Sequence, residues 1–153
     1  MGEPYIDFKG MRVLVSGASS GIGRAIAVEL SRRGAALILV GRSQERLEET
    51  AAILEPVERH LLILDLKYTD EVFSKVKEFA TAIGRIYGLC HAAGIVETLP
   101  LTAGKAEHIR RLMDVNLISG LELARAVSRR DIREPEGGAM LCLSSIYSRD
   151  GAP

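Results

Sequence analysis

Apolar residues along this chain come in short runs, separated by longer stretches in which they recur every three or four positions. The runs at 11–16 (MRVLVS), 36–40 (ALILV), 60–66 (HLLILDL), 86–92 (IYGLCHA) and 139–145 (AMLCLSS) are near-continuous and rich in Val, Ile and Leu. Such runs predict strands covered on both faces. After the first, Ile22, Ile26 and Leu30 keep helical spacing until Gly34. Ser43 is placed to cap a helix over 44–54, with Leu47, Ala51 and Leu54 on one face and Pro56 just beyond it. Thr69 is placed to cap a helix reaching Ile83. Ile109, Leu112, Met113, Asn116, Leu117, Gly120, Leu121 and Ala124 mark a long helix over 105–129, which the stretch EPEGG breaks. Strands joined through helices of this length need crossover connections and lie parallel. The expected fold class is therefore α/β: a Rossmann-type doubly wound parallel sheet of about five strands with helices on both faces, one domain over 1–153.

Composition narrows what such a domain binds. Twenty Lys plus Arg balance twenty Asp plus Glu, which removes the positive footprint of a nucleic-acid or polybasic membrane binder. No nucleic-acid or membrane partner is expected; small molecules and other proteins are. No apolar run approaches the ~20 residues of a membrane span, and the opening MGEPYIDFKG is too polar for a signal peptide. Cys90 and Cys142, the only cysteines, fall inside apolar strand-like runs, so buried free thiols in a reducing cytoplasm are expected. No cluster of metal ligands is present, and no metal site is expected.

Candidate chemistry starts at VLVSGASSGIGRAIA (13–27), where Gly17, Gly21 and Gly23 fall at the turn from first strand to first helix. Without Cβ atoms they permit a tight turn and let the backbone approach a pyrophosphate at the helix N-terminus. The glycines alone also suit a well-packed turn with no ligand. Their spacing is G-x-x-x-G-x-G, with no Lys after the last Gly as a Walker loop needs, which disfavours phosphoryl transfer. After the second strand stand Gly41, Arg42 and Ser43 in place of the carboxylate that would hold a ribose 2′-hydroxyl. A carboxylate repels a 2′-phosphate and a guanidinium attracts it, so NADP(H) is expected over NAD(H), the other reading of Arg42 being a solvated surface side chain.

These motifs, in this order, resemble the short-chain dehydrogenase/reductase family over nearly all of 9–153. SGASSGIG resembles the family's cofactor loop, which implies cofactor contacts from Gly17, Ser19, Ser20, Gly21, Ile22 and Gly23. LDL resembles the acidic position after the third strand, implying that Asp65, with Leu66 beside it, meets the adenine; on its own, an Asp at a strand end also suits a helix or turn cap. HAAG (91–94) stands where the family usually has Asn-Asn-Ala-Gly, implying contacts from Ala92 and Gly94. His91 departs from that pattern and is read as a ring hydrogen-bonded for structure. MDVNLISG places Asn116 at the family's structural and catalytic Asn, and LCLSSI places Ser145 at the Ser that hydrogen-bonds the substrate carbonyl. Asn116 is locally unfavourable inside a helix, and its side chain could hold a water or a backbone carbonyl at a kink.

The family's general acid is a Tyr followed four positions later by Lys, a dozen or so residues beyond the Ser. Tyr147 lies two residues after Ser145 and is followed at that offset by Gly151, so no such pair follows the serine. The expectation is the N-terminal, cofactor-binding part of an NADP(H)-dependent oxidoreductase, inactive by itself, whose full form takes a carbonyl or alcohol. A non-catalytic dinucleotide-binding module and an interaction protein of the same fold are the other readings. The resemblance further implies a homo-oligomer formed through the 105–129 helix. The fifth strand is expected to stand as an uncovered sheet edge.

Overall fold

The computed structural model describes residues 6–145. Five parallel strands form one sheet in the order β3-β2-β1-β4-β5: β1 (Arg12–Ser16), β2 (Ala36–Gly41), β3 (Arg59–Ile63), β4 (Gly88–His91) and β5 (Ala139–Cys142). The strands add outward from β1 to β3 and then return to its other side, so the switch in strand order falls between β1 and β4. In open parallel sheets a crevice forms there, outside the carboxyl ends of the strands.

Alternation along the central strands feeds two cores. Val13, Val15, Leu37 and Leu39 face α1 (Gly21–Arg32) and α2 (Gln44–Ala52), packing with Ala27, Leu30 and Leu47. Leu14, Ile38 and Val40 face the opposite way, against Val72, Val76 and Ala80 of α3 (Thr69–Ile83) and against Leu123, Ala126 and Val127. The last three belong to α5 (Ser119–Val127). It continues α4 (Ala106–Met113) through a π turn (Asp114–Ile118), so the single long helix expected from the spacing is present but not uniformly α-helical.

Several boundaries differ from expectation. Ser43 caps α2, its Oγ accepting from the Arg46 amide at 3.4 Å. At α3 the cap position is Tyr68, with no side-chain cap bond, and Thr69 is already helical. The third run leaves the sheet after Ile63 because Asp65 closes a turn: its Oδ1 accepts from the Lys67 amide and its carbonyl from the Tyr68 amide. Cys142 is exposed, and Cys90 is half-buried. β5 is an edge strand, and all four of its residues are exposed, so inclusion in an apolar run did not bury the thiol. Met140 and Leu141 keep about half their surface in solvent (49% and 51%). No helix among the described residues is long and apolar enough to cross a membrane.

Ile38 is fully enclosed at the centre of β2. Ile38→Ala is expected to lower unfolding free energy by about 2–5 kcal/mol in urea titrations, against about 0.5 kcal/mol or less for Ile53→Ala at an exposed position.

Candidate functional site: a cavity at the carboxyl ends of the strands

Each of the first four strands ends at the same opening. The segment after β1, the end of β2, the turn after β3 and the segment after β4 enclose a cavity of about 360 Å³. Its walls include all eleven positions expected to meet a cofactor: Gly17, Ser19, Ser20, Gly21, Ile22, Gly23, Arg42, Asp65, Leu66, Ala92 and Gly94.

The glycines of the first turn do different jobs. Gly17 has φ +69° and lies so close to β4 that a Cβ would stand 2.8 Å from the Ala93 backbone. A Cβ on Gly23 would come within 2.3 Å of the Gly17 carbonyl oxygen, so this residue lets α1 close onto the loop. Gly21, at φ +52°, would direct a Cβ into open space in which no protein atom lies within 4 Å. Two of the three are thus packing positions, and Gly21 is the one that leaves room. α1 starts there with no side-chain cap and no acidic residue in its first turn, so its positive end is left for an anion.

Arg24, one helical turn on, holds the loop in shape. Its Nη2 donates to the Ser19 carbonyl (2.8 Å) and to Glu49 (2.9 Å), and its Nε donates to Thr50 Oγ1 (2.9 Å). Thr50 in turn donates to the Ala18 carbonyl, also at 2.9 Å. The guanidiniums of Arg42 and Arg46 stand differently: both line the cavity, and neither has a hydrogen-bond or ion-pair partner among the described residues. Arg46, together with Lys67, Arg111 and Val115, escaped the sequence reading. Arg111 reaches the cavity from α4 while paired with Glu97. Asp65 lines the wall as expected, with Oδ2 3.4 Å from Lys67 Nζ.

Neither of the two positions expected to act on substrate is among the lining residues. Asn116 sits in the π turn and clamps the segment after β4: Nδ2 donates to the Ile95 carbonyl (2.9 Å), and Oδ1 accepts from the Ile95 amide (2.7 Å). That is the backbone-holding role its awkward place in a helix suggested. Ser145 is exposed beyond β5 and is not part of the cavity lining; Tyr147 lies outside the described residues. A Tyr-x-x-x-Lys spacing does occur once, at Tyr5 and Lys9, ahead of β1. Lys9 packs by Gly34, at the end of the sheet where strands begin, so it is remote from the cavity. Among the described residues no group of three side chains could hold a metal ion.

The family profile for short chain dehydrogenases matches residues 11–153. The chain is 33% identical to D-erythrulose reductase of Gallus gallus over 147 residues, covering 96% of this chain and 57% of that protein. A short chain dehydrogenase of Burkholderia cenocepacia J2315, solved in complex with NADP, superposes with a TM-score of 0.87 at 26% identity, over 97% of this chain and 60% of the other. A citronellol catabolism dehydrogenase of Pseudomonas aeruginosa PAO1 gives a TM-score of 0.84 at 29% identity, over 95% and 60%. The chain thus spans little more than half the length of the relatives it matches.

The glycine geometry separates two substitutions. Gly21→Val is expected to abolish NADPH binding while the far-UV circular dichroism stays near that of the parent, because the side chain fills the cavity and the positive φ adds only about 1–3 kcal/mol of strain. Gly23→Ala drives a methyl against backbone and is expected to lower the melting temperature as well as binding.

Proposed function

The chain belongs to the short-chain dehydrogenase family, and on that premise we propose that residues 1–153 form the cofactor-binding part of an NADP(H)-dependent oxidoreductase acting on a carbonyl or alcohol. The observation that carries the choice of NADP(H) is the pair of unpartnered guanidiniums, Arg42 and Arg46, beside Gly41 at the mouth of the cavity. Among the described residues eight other Lys or Arg side chains are set against a carboxylate, so two arginines left open on one rim favour a dianionic ligand group. The residues present fit the rest of such a molecule. The uncapped α1 and the space at Gly21 suit a pyrophosphate, the turn holding Asp65 and Leu66 suits the adenine, and Ala92 to Ile95 offer backbone to the ribose at the nicotinamide end. Bound there, the nicotinamide would supply or accept the hydride.

What this chain's own residues contribute is binding and orientation. Asn116 fixes Ile95, and Ser145 is the residue offered to a substrate carbonyl in the full enzyme. A hydroxyl donates a hydrogen bond but is too weakly acidic to deliver a proton at neutral pH, so turnover requires a further acid. The 153-residue chain is therefore expected to bind NADPH without oxidising it in the presence of aldehydes and ketones. Steady oxidation by the short chain would remove the division of labour proposed here. A reducing, cytoplasmic setting belongs to the same proposal.

The self-association implied by the family is supported by an open stripe on the long helix. Ile109, Met113, Leu117 and Leu121 recur four apart and are each 46–61% exposed. Leu121→Glu is expected to shift the chain to a smaller species in sedimentation velocity, by placing a charge within the apolar contact.

Arg42→Ala is expected to cost about 1–3 kcal/mol of NADPH affinity and to leave NADH nearly unchanged, with a further loss confined to NADPH on adding Arg46→Ala. Calorimetric titration of both cofactors decides this; equal affinity of the parent chain for the two would overturn the NADP(H) assignment.

A further inference from the structure

His91, one of the two departures from the family's usual residues after β4, has surroundings that the proposed chemistry does not use. It ends β4 and is 3% exposed. Its Nδ1 lies 2.8 Å from Oγ of Ser16, the last residue of β1, itself fully buried. The same hydroxyl oxygen accepts from the Ala93 amide at 3.3 Å. The far edge of the ring fills the space left by Gly120 at the start of α5, where a Cβ would stand 2.8 Å from Cδ2 and 2.9 Å from Nε2. Nε2 is buried and makes no well-formed hydrogen bond among the described residues, although the Asn116 carbonyl faces the ring. Burial pushes the His91 pKa below the usual histidine value, with that carbonyl opposing the shift, so the ring is neutral at neutral pH.

A neutral ring carries one N–H and one lone pair. The Asn116 carbonyl facing the ring assigns the ring proton to Nε2, which leaves Nδ1 to accept from the Ser16 hydroxyl while the Ser16 oxygen accepts from the Ala93 amide. One side chain therefore orients the Ser16 hydroxyl and also occupies the gap through which α5 approaches the sheet. The segment Ala92 to Ile95 follows directly on His91, bonds Ser16 at its start, walls the cavity and is held at its other end by Asn116.

We propose that His91 is a positioning residue of the dinucleotide site: as a wedge between Ser16 and Gly120, it fixes the Ala92–Ile95 wall at the depth the ligand needs. The proposal rests on the dinucleotide reading of the cavity, so its test has an arm that needs no cofactor. Amide hydrogen exchange of the unliganded 153-residue chain is followed at Ala93, Ile95 and, as a core reference, Leu39. NADPH affinity is measured separately by fluorescence titration.

His91→Leu is expected to speed exchange at Ala93 and to weaken NADPH, each by about tenfold, the scale of one lost buried hydrogen bond, with Leu39 unchanged. His91→Asn, whose side-chain amide can reach the Ser16 hydroxyl, should restore most of both. A merely space-filling role would favour Leu over Asn. Ser16→Ala, which removes one oxygen, should reproduce the Ala93 effect, and combining it with His91→Leu should add little, because both variants break the same link. If His91→Leu does not fold, Ser16→Ala and the Asn variant carry the test. Unchanged Ala93 exchange in Ser16→Ala, or Asn proving no better than Leu, would overturn the proposal. Failure of the parent chain to bind NADPH would instead overturn the cofactor reading, and the exchange arm would still decide whether His91 sets the wall.

Discussion

Everything at the cavity depends on two stretches of backbone lying closer together than any side chain would allow. The loop after β1 touches the segment after β4 at Gly17 and folds back on itself at Gly23, where the hypothetical Cβ contacts are 2.8 Å and 2.3 Å. Contacts that short cannot be absorbed by a rotamer change, because the atoms opposite are main chain. Once the loop is pressed against β4, the N-terminus of α1 has to open at the switch in strand order, and Gly21 has to face outward. The sheet supplies the crevice, but it is the backbone approach that turns it into a site with one narrow, amide-lined side.

Charge is distributed on the same plan. Arg24 spends its donors on Ser19, Thr50 and Glu49 and so ties the loop to α2. That helix carries Arg46, and the turn before it carries Arg42. The structural arginine thus sets the spacing between the amide-lined side of the cavity and its cationic rim. Arg24 is three-tenths exposed and well satisfied, whereas the rim arginines are solvated and unpaired among the described residues, so of these arginines it is the rim pair that can gain from a bound anion.

Most of this was legible in the sequence, for a physical reason. Parallel strands covered on both faces are continuous apolar runs, and each of the five was found within a few residues of its place. The glycine turn, Arg42 and Asp65 were legible because they sit at fixed steps after strand ends. What escaped reading depends on distance across the fold. Arg46 and Arg111 reach the cavity from helix faces whose direction becomes known only once α2 and α4 are docked. Cys142 sits in an apolar run, but burial is a property of the neighbours, and among the described residues no strand pairs with β5 on its outer side. The link from Ser16 to His91 joins residues 75 positions apart and has no local signature at all.

The long helix shows how one local irregularity reconciles these demands. α4 buries no residue, whereas α5 buries Ser119, Gly120, Leu123, Ala126 and Val127, so the helix passes from surface to core at the π turn. A π turn adds a residue to the repeat and shifts the phase of all that follows, at the cost of a loosened hydrogen-bond ladder. Here the Ser119 hydroxyl takes up the Val115 carbonyl at 2.8 Å, and the Asn116 side chain is turned to Ile95. The shift puts Gly120 against His91 while Asn116 still reaches the segment after β4, two contacts made one turn apart from the same helix. In a regular α-helix Asn is a mildly unfavourable residue that competes for backbone hydrogen bonds. Where the ladder is already interrupted that penalty shrinks, and the residue that looked out of place in the sequence is the one whose side chain can bond the backbone of a neighbouring segment.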